Sequence, residues 1–358
     1  MAIPGIGSGV LARLVAQSAS LQAQMDKLSA QTIDGRRGTY YGDLAGDARR
    51  SISLRAELDR RETHATAIGR ALGRTGAAQE ALERLSSIAE EFLTQAGKVS
   101  SADSTRITAL AGSARQAIGQ VAALLNEQHT GSYLFGGADT ANPPIPDPGG
   151  IMGTAMATDI AAAIASLAPG NSGAVLSATL AAASTTAPGA TPFSAYSTDP
   201  ARGLNEPRPA TLTGDGESVA TGLFASRNAA ADPAGSEAGS WSRDLLRGLM
   251  TLASLSPDKT AAGADFDAVM TSVKKGLNAA MVVLGEEAGA LGQSEARLES
   301  ARGRHEELQV ALSAQIADVE EVDMAAALTA LQETQTRLQA SWQALAMLSG
   351  LSIASFMR

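Results

Sequence analysis

The sequence predicts a mainly α protein: a long antiparallel coiled-coil helical rod formed by both halves of the chain, with a smaller β-containing outer domain inserted between them. Three observations predict it. Hydrophobic residues make up 44% of the 358 residues and aromatic ones only 3%, a mixture that favours long helical bundles over an aromatic-rich core. Apolar residues recur at heptad spacing at both chain ends. Eleven of the thirteen prolines lie between Pro143 and Pro233 and break the helical pattern in the middle.

The last forty residues carry the clearest heptad pattern. Every seventh residue is apolar in one row, which contains Met324, Leu331, Leu338 and Leu345. Leu328 and Trp342 fill the second row, which Gln335 and Ser349 interrupt. A stripe this narrow cannot stabilise an isolated helix in water, so this helix requires a partner.

The first helix, predicted from about Val10 to Ala30, supplies the matching stripe. Its members are Leu11, Leu14, Ser18, Leu21, Met25 and Leu28. We therefore expect the two chain ends to pair antiparallel, and residues 1–10 to be flexible until bound. Two thin stripes paired only with each other leave most of both helices exposed. We interpret their large apolar residues as an assembly interface: Leu11, Leu14, Leu21, Met25, Leu28, Met324, Leu328, Leu331, Leu338, Trp342 and Leu345.

Further helices are predicted in the first half of the chain. One runs from near Asp47 to about Ala96, and Gly69, Gly73 and Gly76 within it mark close packing or a bend, since each costs about 1 kcal/mol relative to Ala. The next has Asp103 as its predicted N-cap and an apolar stripe from Ile107 to Leu124, and is expected to end near Thr130. Residues 131–137, the sequence GSYLFGG, then indicate a short strand between glycine turns.

The composition changes at Asn142 to a turn-rich segment that indicates a separate outer domain. A β-hairpin is predicted in which residues 211–213 and 218–220 flank the turn at 214–217. Residues 151–187 are rich in Ala with weak periodicity, and no structure is assigned to them. We expect removal of residues 150–205 to leave the helices intact.

Helical periodicity returns at Trp241. A short helix through Leu245 to Leu255 stops at Ser256-Pro257, and a long helix runs from near Asp265 to about Val319, with an apolar stripe that extends through Leu298, His305, Leu308 and Leu312. An acidic joint at 318–323 precedes the last helix. The two halves mirror each other, so we expect five segments: 1–42 and 320–358 as the terminal coiled-coil helices, 43–140 and 241–319 as the two halves of the rod, and 141–240 as the inserted domain.

No arrangement of residues indicates catalysis, a cofactor or a metal site. His64, His129 and His305 lack ligand spacing, and a structural role is expected for each. The glycines at 5–9 do not follow a strand, and those at 131–137 are not followed by the Lys of a phosphate loop. The carboxylate pairs Glu90/Glu91, Glu286/Glu287 and Glu320/Glu321 indicate solvated helix faces. Without cysteine there is neither a disulfide nor a thiolate zinc site.

Charge and hydropathy exclude two further classes. The net charge is −9, and the 28 basic residues are interleaved with acids, so we expect no nucleic-acid binding. The start of the chain lacks a basic region followed by a long apolar one, and no apolar run reaches the roughly 18 residues of a membrane-spanning helix. We therefore expect no membrane insertion, and an export route that does not read a cleaved signal peptide.

Several stretches resemble bacterial flagellins. IADVEEVDM at 316–324, followed by LQETQ at 331–335, resembles the C-terminal signature of that family, and GQSEARLE at 292–299 resembles the segment that leads into it. Leu28-Ser29, Gly35-Arg36-Arg37 and residues 78–85 are similar to the N-terminal domain. Where the family has a Ser-Asp-Asp-Pro-like turn, this chain has YYGDL at 40–44.

Within the family, GSYLFGG at 131–137 and LSIASFM at 351–357 resemble the branch whose members join the hook to the filament. The resemblance covers roughly residues 10–140 and 240–358. It implies a structural protein located outside the cell in the flagellum, with no enzymatic activity. It further implies an inner coiled-coil tube built from residues 1–42 and 320–358, a projecting inserted segment, and unfolded export through the flagellar type III apparatus.

The partners implied are like subunits in a ring or tube, a neighbouring hook-associated protein, flagellin, and an export chaperone that covers the C-terminal stripe before secretion. The main alternative is the filament-forming flagellin subunit itself. A coiled-coil signalling or receptor protein is a more distant alternative, because it would need membrane spans that the sequence lacks. An enzyme would need a site that the sequence does not contain.

Overall fold

A computed structural model describes residues 6–38, 40–102, 104–187 and 189–356, with side chains described from residue 12 to residue 347 within these ranges. Over these residues the protein is mainly α, as predicted: 70% is helical, and two small antiparallel sheets are present. The described helices are α1 Ile6–Asp34, α2 Ala48–Ala96, α3 Ile107–Leu125, α4 Ala155–Ala165, α5 Ser172–Ser184, α6 Ala195–Thr198, α7 Trp241–Ala253, α8 Ala264–Glu320 and α9 Met324–Phe356. The strands are β1 Gln128–His129, β2 Ser132–Tyr133, β3 Ala210–Leu212 and β4 Ser218–Ala220. Short 3-10 helices cover Tyr41–Asp47, Ile151–Gly153, Pro233–Gly235 and Pro257–Ala262.

The chain forms two compact units. The terminal unit comprises Met1–Glu62 and Glu306–Arg358, and the central unit comprises Thr63–His305. Because α2 and α8 span residues 48–96 and 264–320, the boundaries between the units fall within these two helices.

The terminal unit contains the antiparallel pair of α1 and α9 that the heptad patterns predict. Gly35 follows α1 and Val322 precedes α9, and the Val322 N–H donates to the Gly35 carbonyl over 3.0 Å. Towards the other ends, the hydroxyls of Ser18 and Ser341 lie 2.6 Å apart. The sequence numbers thus rise on one helix as they fall on the other. The sequence predicts that residues 1–10 are flexible. Of these, residues 1–5 lie outside the described range, and Ile6 to Val10 are helical.

The central unit is built around α7, every residue of which is buried. Apolar side chains of α3, α4, α5 and α8 join those of α7 in one cluster, which includes Ile118, Ile160, Trp241, Leu249 and Leu277. Several polar residues of α7 bond to the loops around it. The Asp244 carboxylate accepts the backbone N–H groups of Glu237 and Ala238, each over 2.9 Å, and Arg243 donates to the Thr185 carbonyl over 2.6 Å.

The turn-rich middle segment packs into this same cluster. Ile151, Met156, Ile164 and Val175 are at most 2% exposed and belong to the cluster that contains α7. The segment therefore shares its core with the neighbouring long helices, unlike the separately folded domain that its composition indicates. The alanines of 151–187, which the sequence left unassigned, form α4 and α5, and these helices contact each other and α7.

The predicted hairpin is present. β3 pairs with β4 in antiparallel register, with Thr211 opposite Val219, and Val219 packs against a second small cluster formed by Ile68, Ala71, Leu298 and Ala301. The predicted strand at 131–137 is shorter than expected, because only Ser132–Tyr133 pairs, with Gln128–His129. The preceding helix consequently ends at Leu125 and not near Thr130.

The predictions for Asp103, for the glycines of α2 and for Leu308 are only partly confirmed. Asp103, the proposed N-cap, lies outside the described residues, and Arg106 precedes the first turn of α3. Gly73 is a close-packing position, because a Cβ there would lie 3.2 Å from Nε2 of His129, whereas Gly69 and Gly76 face open space. Leu308 does not continue the buried stripe of α8, since it is 45% exposed.

Candidate assembly surface

The interface between α1 and α9 is narrow and partly polar. Ser18, Ala327, Thr334 and Leu338 are buried, while the large residues predicted beside them are half-buried: Leu14, Leu21, Met25, Leu28, Leu331 and Leu345. The side chain of Leu11 lies outside the described part of the chain, as do those of residues 348–358. The interface therefore holds the two helices together with few fully buried groups.

The second heptad row of α9 differs from the predicted one. The small residues Ala327, Thr334 and Ser341 face α1, whereas Leu328 and Trp342 are 47% and 51% exposed. The two rows differ by one residue, a rotation of about 100° around the helix. Small side chains allow α1 to approach closely, so the larger row turns outward together with Met324, which is 42% exposed.

Backbone and side-chain contacts fix the joint between α8 and α9 to the turn after α1. Arg36 and Glu321 form an isolated antiparallel bridge, and the Arg37 N–H donates to the Glu320 carbonyl over 2.7 Å. The Arg37 guanidinium donates to the Glu321 carbonyl over 2.9 Å. These contacts place the start of α9 beside the end of α1.

Glu320 is the charged centre of this joint. Its carboxylate accepts two hydrogen bonds from the Arg55 guanidinium, over 2.7 and 2.5 Å, and one from the Ser51 hydroxyl over 2.6 Å. Hydrogen bonding to Arg55, assisted by Ser51 and the charge of Arg36, lowers the pKa of Glu320 from 4.5 to about 2. The predicted solvated face at Glu320/Glu321 is therefore wrong for Glu320, whose side chain is 12% exposed.

Exposed apolar residues concentrate in the terminal unit. Among the described residues, thirteen large hydrophobic side chains are exposed, and only Leu212 and Val282 belong to the central unit. The other eleven are Val15, Ile33, Tyr40, Tyr41, Ile52, Leu308, Val310, Met324, Leu328, Trp342 and Met347. In the same unit, the described buried hydrophobic residues are Val319, Ala327 and Leu338. A surface of this kind is typical of a protein–protein contact.

The groups considered for chemistry have structural roles. His64 and His305 stack with ring centroids 5.3 Å apart, and Nε2 of His305 lies 2.7 Å from the Thr213 carbonyl. Glu287, expected on a solvated face, is 1% exposed and accepts the backbone N–H groups of Ala229, Ala230 and Ala231. Within the described ranges no group of three or more His, Cys, Asp or Glu side chains could hold a metal ion.

Within the stretch at 131–137, Leu134, Phe135 and Gly137 pack inside the central unit. Leu134 and Phe135 are each 1% exposed, and the Phe135 carbonyl accepts the Ala225 N–H over 2.9 Å. Gly137 has φ +63°, and a Cβ there would lie 2.6 Å from the Phe224 ring. Sequence reasoning recognised the glycines but missed Glu287 and Glu320, because the partners of those carboxylates lie far away along the chain.

Comparison with known families bears on the C-terminal part of the chain. Residues 275–357 match the profile of the bacterial flagellin C-terminal helical region, a stretch that includes α8 from Lys275 onward and all of α9. No curated protein matches the chain. The family match supports a structural component of the bacterial flagellum. No helix in the described ranges has the length and apolar character needed to cross a membrane.

Proposed function

We propose that this protein is a structural subunit of the bacterial flagellum that joins the hook to the filament, as does hook-associated protein 3, the hook–filament junction protein. Its terminal helices, in segments 1–42 and 320–358, form the assembling part. Segments 43–140 and 241–319, with segment 141–240 inserted between them, make up the rest of the subunit. Export takes place through the flagellar type III apparatus.

The proposal rests on the terminal unit, in which many more large hydrophobic residues are exposed than are buried among those described. It exposes eleven large hydrophobic residues and buries few among those described, which is unfavourable for an isolated soluble unit. Burial of one Leu side chain contributes about 1.5–3 kcal/mol, so neighbours that cover several of these residues supply a large driving force for assembly. The flagellin match covers α9, which carries four of the exposed residues: Met324, Leu328, Trp342 and Met347.

The partners follow from this role. Like subunits complete the coiled-coil layer, a neighbouring hook-associated protein lies on one side, and flagellin lies on the other. An export chaperone binds the C-terminal stripe before secretion. The choice of an adaptor over the filament subunit rests on the likeness of GSYLFGG at 131–137 and LSIASFM at 351–357 to the junction branch.

Deletion of the gene tests the proposal. Cells without this protein should build hooks, fail to retain filaments, and release flagellin into the medium, and a plasmid copy should restore filaments. Immunolabelling of intact flagella should place the protein in a narrow band where the hook ends. Labelling along the whole filament would assign the chain to the filament subunit, and normal motility of the deletion strain would contradict a structural role.

A further inference from the structure

Two of the three histidines meet in the central unit, where they contact the β3–β4 hairpin. The rings of His64 on α2 and His305 on α8 stack with their centroids 5.3 Å apart and their planes inclined by 17°. Nε2 of His305 lies 2.7 Å from the carbonyl oxygen of Thr213, the residue that follows β3. His305 and Thr213 are 5% and 3% exposed, so this hydrogen bond is buried. The histidine pair therefore connects two helices to the turn of the hairpin.

The contacts of His305 favour its neutral form. A carbonyl oxygen only accepts hydrogen bonds, so Nε2 carries the hydrogen and Nδ1 of the neutral ring carries none. Nδ1 is buried and has no hydrogen-bond partner among the described residues. A second proton would therefore create a buried N–H donor without an acceptor, and it would place a charged ring against His64.

The charged residues around the histidine pair are of both signs. In the hairpin, Asp215 and Glu217 lie in the turn, and Glu217 pairs with Arg304 of α8 over 3.4 Å. The other charged residues within one turn of either histidine are Arg60, Arg61, Glu62, Arg302, Glu306 and Glu307. All of them are exposed to solvent except Arg61, which pairs with Glu57 on its own helix. Water and salt screen such charges, so the buried surroundings of His305 decide its preferred state.

The hairpin makes weaker contacts with the helices beside this hydrogen bond. Val219 is half-buried against the small cluster that contains Ile68. The ion pair between Glu217 and Arg304 is 69% and 57% exposed, and exposed pairs contribute little. A two-stranded hairpin is at best marginally stable on its own in water. Loss of the His305 contact should consequently free the hairpin while the core around α7 stays folded.

We propose that the histidine pair is an acid-sensitive switch, which releases the β3–β4 hairpin from α2 and α8 when the histidines take up protons. Histidine ordinarily gains its charge as the pH falls from 8 to 5, so the hairpin is bound at pH 7.5 and released towards pH 5. The sign follows from linkage: the released state binds protons more readily than the bound state, so acid favours release. Release uncovers the apolar side chains of Ile68 and Leu298. The switch lies wholly in the central unit and is independent of the assembly of the terminal helices.

Hydrogen exchange measured by mass spectrometry on the purified full chain tests the switch. The exchange rates of the amides at 210–220 are compared at pH 7.5 and pH 5, each divided by the intrinsic rate at that pH. The protection of the hairpin should fall about tenfold or more at pH 5, because one linked proton changes an opening equilibrium up to tenfold per pH unit. The amides of α7 should keep their protection. Equal corrected protection of the hairpin at both pH values would overturn the inference.

His305→Gln separates the charge of the side chain from its hydrogen bond. Glutamine can donate to the Thr213 carbonyl but takes up no proton in this range, so the hairpin should stay protected at pH 5. His129→Gln, which changes the third histidine, is the matched control and should retain the wild-type fall. A fall that persists in His305→Gln would assign the response to other groups, and the histidine pair would not be the switch.

Nuclear magnetic resonance of the wild-type chain provides a test that needs no variant of His305. The midpoint of the loss of hairpin protection should coincide with the titration of the His305 ring, observed through its carbon-bound protons. His64→Phe, which keeps a ring in the stack but removes its charge, should shift both midpoints to lower acidity or higher acidity together. Titration of the His305 ring while the hairpin remains protected would show that the proton does not release it.

Discussion

At the scale of single residues, the least predictable features are polar groups buried through distant partners. Glu320 lies in an acidic sequence that indicates solvent exposure, but Arg55 and Ser51 on α2 bind its carboxylate. Glu287 likewise caps three backbone N–H groups of a loop more than fifty residues away. Heptad periodicity finds apolar rows because they repeat along the chain, whereas a single carboxylate and its distant partner leave no periodic signal.

Glu320 should make stability depend on pH in a defined window. Its pKa in the folded chain is about 2 against an ordinary 4.5, so its interaction with Arg55 stabilises the fold fully above pH 4.5 and is lost as the pH falls towards 2. Glu320→Gln should lower the free energy of unfolding at pH 7 by about 1–2 kcal/mol, at the low end for charged hydrogen bonds because Arg55 is 42% exposed.

Urea unfolding of both proteins between pH 2 and pH 7 checks this prediction. The difference between wild type and Glu320→Gln should shrink steadily below pH 4.5. Glu333→Gln is the control, because Glu333 forms only an exposed ion pair with Arg337 on its own helix. A difference that stays constant down to pH 2 would show that Glu320 acts through packing and not through charge.

Gly131 and Gly137 provide a second test at this scale. Both have positive φ, +79° and +63°, but a Cβ would meet open space at Gly131 and the Phe224 ring at Gly137. Gly131→Ala should cost about 1 kcal/mol for the backbone alone, and Gly137→Ala about 1–3 kcal/mol more, because the ring and the loop around it must shift. Thermal unfolding measures both, and equal losses would mean that the 224 loop adapts freely.

At the scale of elements, heptad periodicity predicted most helices to within a few residues. The helices expected at 47–96 and 265–319 are α2 Ala48–Ala96 and α8 Ala264–Glu320. The second row of α9 was misassigned, because the pattern ranks Leu328 and Trp342 above Ala327 and Ser341 by hydrophobicity. Which row faces a partner depends on how closely that partner approaches, and hydrophobicity alone does not encode this distance.

Leu338 should separate the stability of the α1–α9 pair from that of the central unit. It is 3% exposed in the interface with α1, so Leu338→Asp places a carboxylate where no partner is available and should dissociate the pair. Limited proteolysis should then trim both chain ends, and the central unit should remain as a resistant fragment. Gln339→Asp, at an exposed neighbouring position, should leave the cleavage pattern unchanged. Global unfolding of Leu338→Asp would show that the central unit depends on the pair.

At the scale of the whole molecule, composition indicated an insertion in the middle of the chain but not where its apolar residues would pack. Pro and Gly mark turns wherever they occur, and they carry no information on which core a segment joins. Ile151, Ile160 and Ile164 are buried in the cluster that contains α7. Removal of residues 150–205 should therefore expose α7 and reduce the yield of soluble protein, in contrast to what the composition suggests. If the shortened protein stayed soluble and its circular dichroism per residue equalled that of the wild type, this prediction would be wrong.

Seeded extension of filaments separates a junction protein from a filament subunit. A filament subunit must complement its own upper and lower surfaces without limit, whereas an adaptor matches the hook on one side and the filament on the other. Contacts around one layer can close into a ring. Purified protein offered to short filament seeds, under conditions in which flagellin extends them, should therefore add no more than a few layers. Electron microscopy measures the added length, with flagellin as the positive control. Long filaments made of this chain alone would assign it to the filament subunit.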